Sequence, residues 1–289
     1  MNRRTFTKKS GALLAGLAMP SWLKECKKAK MIGLQLWTIR DAMKADPVGS
    51  LKKLANMGYG AVESAGYSNG MYYNMKPVAF KKVLDDLGLA LNSGHGGLGF
   101  NSEDKGTFLN EFERYVADAA SIDQKYIVLA WIPEEYRTLD KYKELSELLN
   151  KNGEVAKKYG VQVAYHNHDF EFFETEGQIP YDLMLQQTDK DLVDFELDLY
   201  WIKKGGKHYK DYFEKHSGRF PLWHVKDMDN TEEAYFTEVG NGIIDFPEIF
   251  KCRKKSGMKF FYIEQDDCRN NVPLKSAEIS LGYVRDMRY

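Results

Sequence analysis

The chain has 289 residues, with 41 Lys and Arg against 42 Asp and Glu, a formal net charge of −1. That balance gives no electrostatic footprint for nucleic acid or an anionic membrane, so neither is expected as a partner. With 43% apolar residues and 3 cysteines, the chain can bury a core but offers neither a disulfide scaffold nor a Cys-rich zinc site.

Residues 1–30 do not read as fold. Arg3 and Arg4 precede Phe6 and Lys8, and the apolar run GALLAGLAM follows. A basic segment ahead of a short apolar run is the pattern of an export signal, here twin-arginine-like, and the run is too short for stable membrane insertion. The expectation is an exported, periplasmic protein whose mature part starts near Met31. Cys26 stands behind Lys24 and Glu25, which spoil the small-residue pattern of a lipid-anchored cysteine. An exported chain could pair Cys252 with Cys268.

From Met31 the chain alternates short apolar runs with amphipathic segments. The strand candidates are 31–37, 60–63, 89–93, 126–130, 161–165, 194–199, 221–225 and 259–264, and a ninth candidate, AEISLGYVRDM, closes the chain. Between them lie helical patterns such as FKKVLDDLG and KELSELLNKNGEVAKKYG, several ending in a glycine (Gly58, Gly88, Gly160, Gly257) suited to a left-handed cap. Strands alternating with helices imply parallel pairing through crossovers. Eight such units predict an α/β fold, a (β/α)8 TIM barrel over 31–289 as a single domain. A doubly wound sheet is the alternative, but no GxGxxG follows the first strand, and HGGLGF at 95–100 reads as a loop.

Barrels of this kind carry their chemistry at the C-terminal ends of the strands. Those ends offer Glu63, His95, the cluster HNHDFEF (166–172), Asp198, His224 with Lys226, and Glu264 with Asp266. Singly, each has an ordinary structural role: a lone histidine is more often a hydrogen-bonded core residue, and Asp198 is well placed to cap the next segment. Glu196 and Asp198 share a strand face, and Asp198 is preferred because it is nearer the top. His208 and His216 read as residues of a solvated helix face. Jointly, carboxylates and imidazoles converging on one mouth make an O/N site for a divalent cation such as Mn²⁺, Mg²⁺, Co²⁺ or Zn²⁺. The 18 Tyr, 16 Phe and 5 Trp also suit a carbohydrate site, although packing accounts for most aromatics.

The motifs IGLQLWTIRD, YHNHDFEF, ELDLYW, WHVKD, VGNGIIDF and YIEQDD together resemble the xylose isomerase-like TIM-barrel family, which includes sugar phosphate isomerases/epimerases and family-2 AP endonucleases. The resemblance spans residues 31–289 and implies a divalent metal held by Glu, Asp, His and Glu from strands five to eight. Carried over, Asp198, His224 and Glu264 match the last three ligands. No carboxylate stands at the strand-five position, near His166; Glu171 is expected as the fourth ligand, with His166 and His168 the alternatives. Under that reading Glu171, Glu264 and His168 are catalytic, and Glu63, His95, His166 and Lys226 contact substrate. The resemblance implies an isomerase, epimerase or lyase acting on a keto-sugar, polyol or 3-keto-glycoside through an enediolate, with small sugars or glycosides as partners and homo-oligomerisation left open. Two other readings compete: an abasic-site endonuclease, disfavoured by charge and export, and a non-catalytic sugar-binding barrel.

Overall fold

The computed structural model describes residues 31–269 and 271–288. Residues 1–30, expected to direct export and containing Arg3, Arg4 and Cys26, lie outside the described residues.

Eight parallel strands close a barrel: β1 (Gly33–Gln35), β2 (Ala61–Ser64), β3 (Ala90–Gly96), β4 (Tyr126–Leu129), β5 (Gln162–His166), β6 (Val193–Asp198), β7 (Leu222–Val225) and β8 (Phe260–Ile263). Each pairs with its neighbours in sequence, and β8 closes on β1. Both faces of these strands are covered, which is why they appear in sequence as near-continuous apolar runs. β3 runs on to Gly96, so His95 is a strand residue and not part of the loop expected there.

Side chains alternate across the barrel wall. One set (Leu34, Val62, Val163, Phe195, Trp223, Phe261) packs outward against the helices in the main core. The other set faces the axis, where Ala61, Tyr126, Val128, Ala164, Leu222 and Tyr262 make a small separate cluster. Two residues further along the same strands stand Glu63, His166, His224 and Glu264. The apolar plug is thus the floor beneath a polar mouth.

The expected helices form. Pro47–Met57 and Pro77–Leu87 each begin with a proline at the first turn and end on Gly58 and Gly88, whose φ values of 105° and 68° are left-handed. The closing segment is not a strand but the end of a helix over Pro273–Asp286, with Ala277, Leu281 and Val284 buried at helical spacing. Two hairpin-like additions had no sequence signal strong enough to read: Tyr67–Ser68 with Met71–Tyr72, and Asp227–Met228 with Phe236–Thr237. Cys252 and Cys268 are free thiols. Among the described residues no helix is long and apolar enough to cross a membrane.

Candidate active site

The strand ends deliver the polar mouth in two tiers. In the upper tier, His166, Asp198, His224 and Glu264 each turn one ligand-capable atom toward a common point, all within 4.8 Å of one another. His224 Nδ1 is 2.7 Å from Glu264 Oε2, and His166 Nε2 is 3.4 Å from Asp198 Oδ2. Lys226 is fully buried among the same acids, its Nζ 3.0 Å from Asp198 Oδ2, 2.8 Å from Glu264 Oε2 and 2.9 Å from Asp266 Oδ2. In the lower tier, Glu63, His95, Glu196 and the other edge of His224 come together, with His95 Nε2 2.8 Å from Glu196 Oε2.

Local structure explains how each side chain is aimed. In HNHDFEF the alternation of β5 continues past its last residue. His166 and His168 therefore line the cavity, while Asn167 points away and accepts a hydrogen bond from Asp198 N (3.0 Å), tying β5 to β6. Asp198 divides its carboxylate: Oδ1 accepts from Tyr200 N and Trp201 N, both at 2.8 Å, capping the helix Leu199–Lys204, while Oδ2 faces the mouth. One oxygen thus caps the helix while the other is turned to the mouth.

Asp227, next to Lys226, serves the frame. Its oxygens accept from the backbone N–H of Met228, Gly240, Gly242 and Ile244 at 2.8–3.1 Å, pinning the VGNGI loop. A Cβ on Gly242 would come within 2.4 Å of that carboxylate, which accounts for the glycine.

Glu171, the expected fourth ligand, stands outside this grouping. Its Oε1 accepts from Tyr165 OH (2.6 Å) and its Oε2 from His168 N (2.8 Å), so both oxygens are engaged outside the constellation. It anchors the turn after β5 from the outer core. Among the expected ligands, the structure brings Asp198, His224 and Glu264 together and adds His166 in place of Glu171. Of the residues expected to contact substrate, His95 and His166 line the cavity. Glu63 and Lys226 are fully buried beneath it. His208 caps the helix Tyr209–Lys215 and His216 ends it, both away from the mouth.

Two residues were left out of the expected site. Glu196, on the same strand face as Asp198 but further from the top, sits one tier below it and also points at the axis. Gln35 donates from Nε2 to Glu63 Oε2 (2.8 Å); its only signal was a polar residue inside an apolar run.

Electrostatics follow the geometry. Burial alone would lower Lys226 and His224, but the surrounding carboxylates override it and hold both well above their usual values. Burial likewise raises Asp198 and Glu264, yet Lys226 and the imidazoles hold both below the ordinary carboxylate range. His168 is different: burial, then the neighbouring His166 and Lys226, drive it well below the usual histidine value, so it is neutral. Burial pushes Asp266 up to about 6.

The donor set fits a divalent cation. It has two imidazoles and two carboxylates from four strands, and His166 Nε2 is buried without a well-formed hydrogen bond. Above it opens a cavity of about 810 Å³, rimmed by the half-exposed aromatics Trp37, Phe100 and Trp131.

The description xylose isomerase-like TIM barrel matches residues 51–286. The chain belongs to this family. It is 30% identical over 168 residues to the inosose dehydratase of Bacillus licheniformis, a match covering 52% of this chain and 55% of that protein. The chain thus aligns with about half the length of such curated relatives. A sugar phosphate isomerase/epimerase from Parabacteroides distasonis superimposes with a TM-score of 0.77 at 27% identity, over 90% of this chain and 95% of the other. The zinc-bound IOLI protein superimposes with a TM-score of 0.69 at 15% identity, over 89% and 97%, a likeness of fold.

Proposed function

We propose that the chain is a divalent-metal-dependent enzyme acting on a keto-sugar, polyol or 3-keto-glycoside, as an isomerase, epimerase or lyase, with carbon–oxygen elimination or hydration the favoured reaction. The observation that carries this reading is the convergence of His166, Asp198, His224 and Glu264 under an 810 Å³ cavity rimmed by aromatics. The relatives named inosose dehydratase and sugar phosphate isomerase/epimerase support the same class.

His166, Asp198, His224 and Glu264 would hold the cation. When bound, it polarises a substrate carbonyl and stabilises negative charge on the oxygen. The chain's own residues do the rest. His168, neutral and with Nδ1 lacking a hydrogen-bond partner, is placed on the cavity wall to accept the proton from the carbon next to that carbonyl. Asp266, at about 6, is a carboxyl that can return a proton to a departing oxygen, and Lys226 holds its charge in check. Trp37 and Trp131 offer flat faces for a sugar ring or an attached group.

Incubation of the metal-loaded protein with keto-sugars and 3-keto-glycosides in D₂O tests this. Deuterium should enter at the carbon next to the carbonyl, by NMR, and a chelator should stop it. Cleavage of abasic-site DNA with no exchange in any keto-sugar would sink the reading in favour of an endonuclease. Residues 1–30 are proposed to direct export; a reporter fused to them and retained in the cytoplasm would overturn that.

A further inference from the structure

The lower tier joins the second edge of His224 to three ligand-capable side chains, Glu63, His95 and Glu196, for which the proposed chemistry has no use. Glu63 comes from β2, His95 from β3, Glu196 from β6 and His224 from β7. His224 Nε2 lies 2.7 Å from Glu63 Oε2 and 3.2 Å from Glu196 Oε2, while His95 Nε2 lies 2.8 Å from Glu196 Oε2 and 3.5 Å from Glu63 Oε2. Ligand atoms at ~2.0–2.1 Å around a tetrahedral cation sit about 3.3 Å from one another. These four edges bracket that spacing.

A second observation points the same way. The other oxygens of both acids, Glu63 Oε1 and Glu196 Oε1, are buried and have no hydrogen-bond partner. Two carboxylates with 0% exposure need positive charge or donors for all their oxygens. Pairing of His224 with Glu63 and of His95 with Glu196 meets only the Oε2 of each acid and leaves both Oε1 atoms without a partner.

We propose that Glu63, His95, Glu196 and His224 Nε2 form a second divalent-cation site beneath the mouth. His224 then faces a cation with each ring nitrogen. With both sites filled, the ring has released its remaining N–H proton to solvent and bridges as an imidazolate. The bridge rests on the mouth site proposed above; the lower site stands on its own residues. Cations reach it past His95, whose side chain is 12% exposed to the cavity.

The test is zinc content after loading with Zn²⁺ alone and exhaustive dialysis, in the wild type, His95→Ala and His166→Ala, with circular dichroism to verify folding. Two equivalents are expected in the wild type and one in each variant. One equivalent that survives His95→Ala but not His166→Ala overturns the lower site and leaves the mouth site standing. One equivalent that survives His166→Ala but not His95→Ala keeps the lower site and removes the mouth site, and with it the function proposed above. None in the wild type overturns both. Should His95→Ala fail to fold, Co²⁺ titration of the wild type gives the answer: saturation at two equivalents supports the lower site, and saturation at one with absorption unchanged by Glu196→Gln overturns it.

Discussion

Lys226 Nζ lies 2.8 Å from Glu264 Oε2 and 3.0 Å from Asp198 Oδ2, so a tethered ammonium already holds two of the acids that a divalent cation would use. Cation and ammonium compete for the same oxygens. Lys226→Met should therefore tighten Zn²⁺ binding at the mouth, on the order of tenfold, or ~1.4 kcal/mol, read by competition with a chromogenic chelator. Weaker binding in the variant would mean that Lys226 organises the acids for the cation.

Glu171 supplies a pH signature. Burial pushes its carboxyl up from 4.5 to about 7 in the folded chain. The folded state therefore holds the proton where the unfolded state has released it, and stability falls as pH rises from 4.5 to about 7. A shift of that size corresponds to about 3 kcal/mol. In Glu171→Gln the amide can accept from His168 N and donate to Tyr165, so the variant should lose this slope and keep its metal. Urea melts across that range, with metal analysis, check both; metal lost in a folded variant would restore Glu171 as a ligand.

His168→Gln should retain metal and lose about 10²- to 10⁴-fold in turnover, because an amide hydrogen-bonds but does not carry protons near neutral pH. Metal content measured beside deuterium exchange separates this outcome from a ligand role, in which both would fall together.

Asp227→Ala removes the acceptor for four backbone donors, two on the loop glycines Gly240 and Gly242. The cost should be about 2–4 kcal/mol, since buried N–H groups lose their partner. Limited proteolysis should then cut near Asn241 first.

The barrel was legible because parallel strands are covered on both faces and their apolar runs stand out between helices. The mouth was legible because strand ends are where such runs give way to charge. Inside HNHDFEF the reading stopped short for a geometric reason. Alternation assigns a face only while the chain stays extended; it held through His166 and His168, then lapsed where Phe170–Phe172 coil into a short 3-10 turn. Glu171 has ligand chemistry but not ligand position. Glu196 was ranked behind Asp198 because it lies deeper on the same face, and the structure turns both toward the axis, one in each tier.

The shared carboxylate of Asp198 has a mechanical consequence. Its Oδ1 holds the first turn of the helix that carries Trp201, and the Trp201 ring lies 5.2 Å from that of His168. A carboxylate clamped on one oxygen cannot travel to meet a cation, so the mouth is a rigid seat whose ordering was completed when the barrel folded. Loading should accordingly leave the backbone still and change the surroundings of one indole, making Trp201 a native fluorescent gauge of whether the seat is filled.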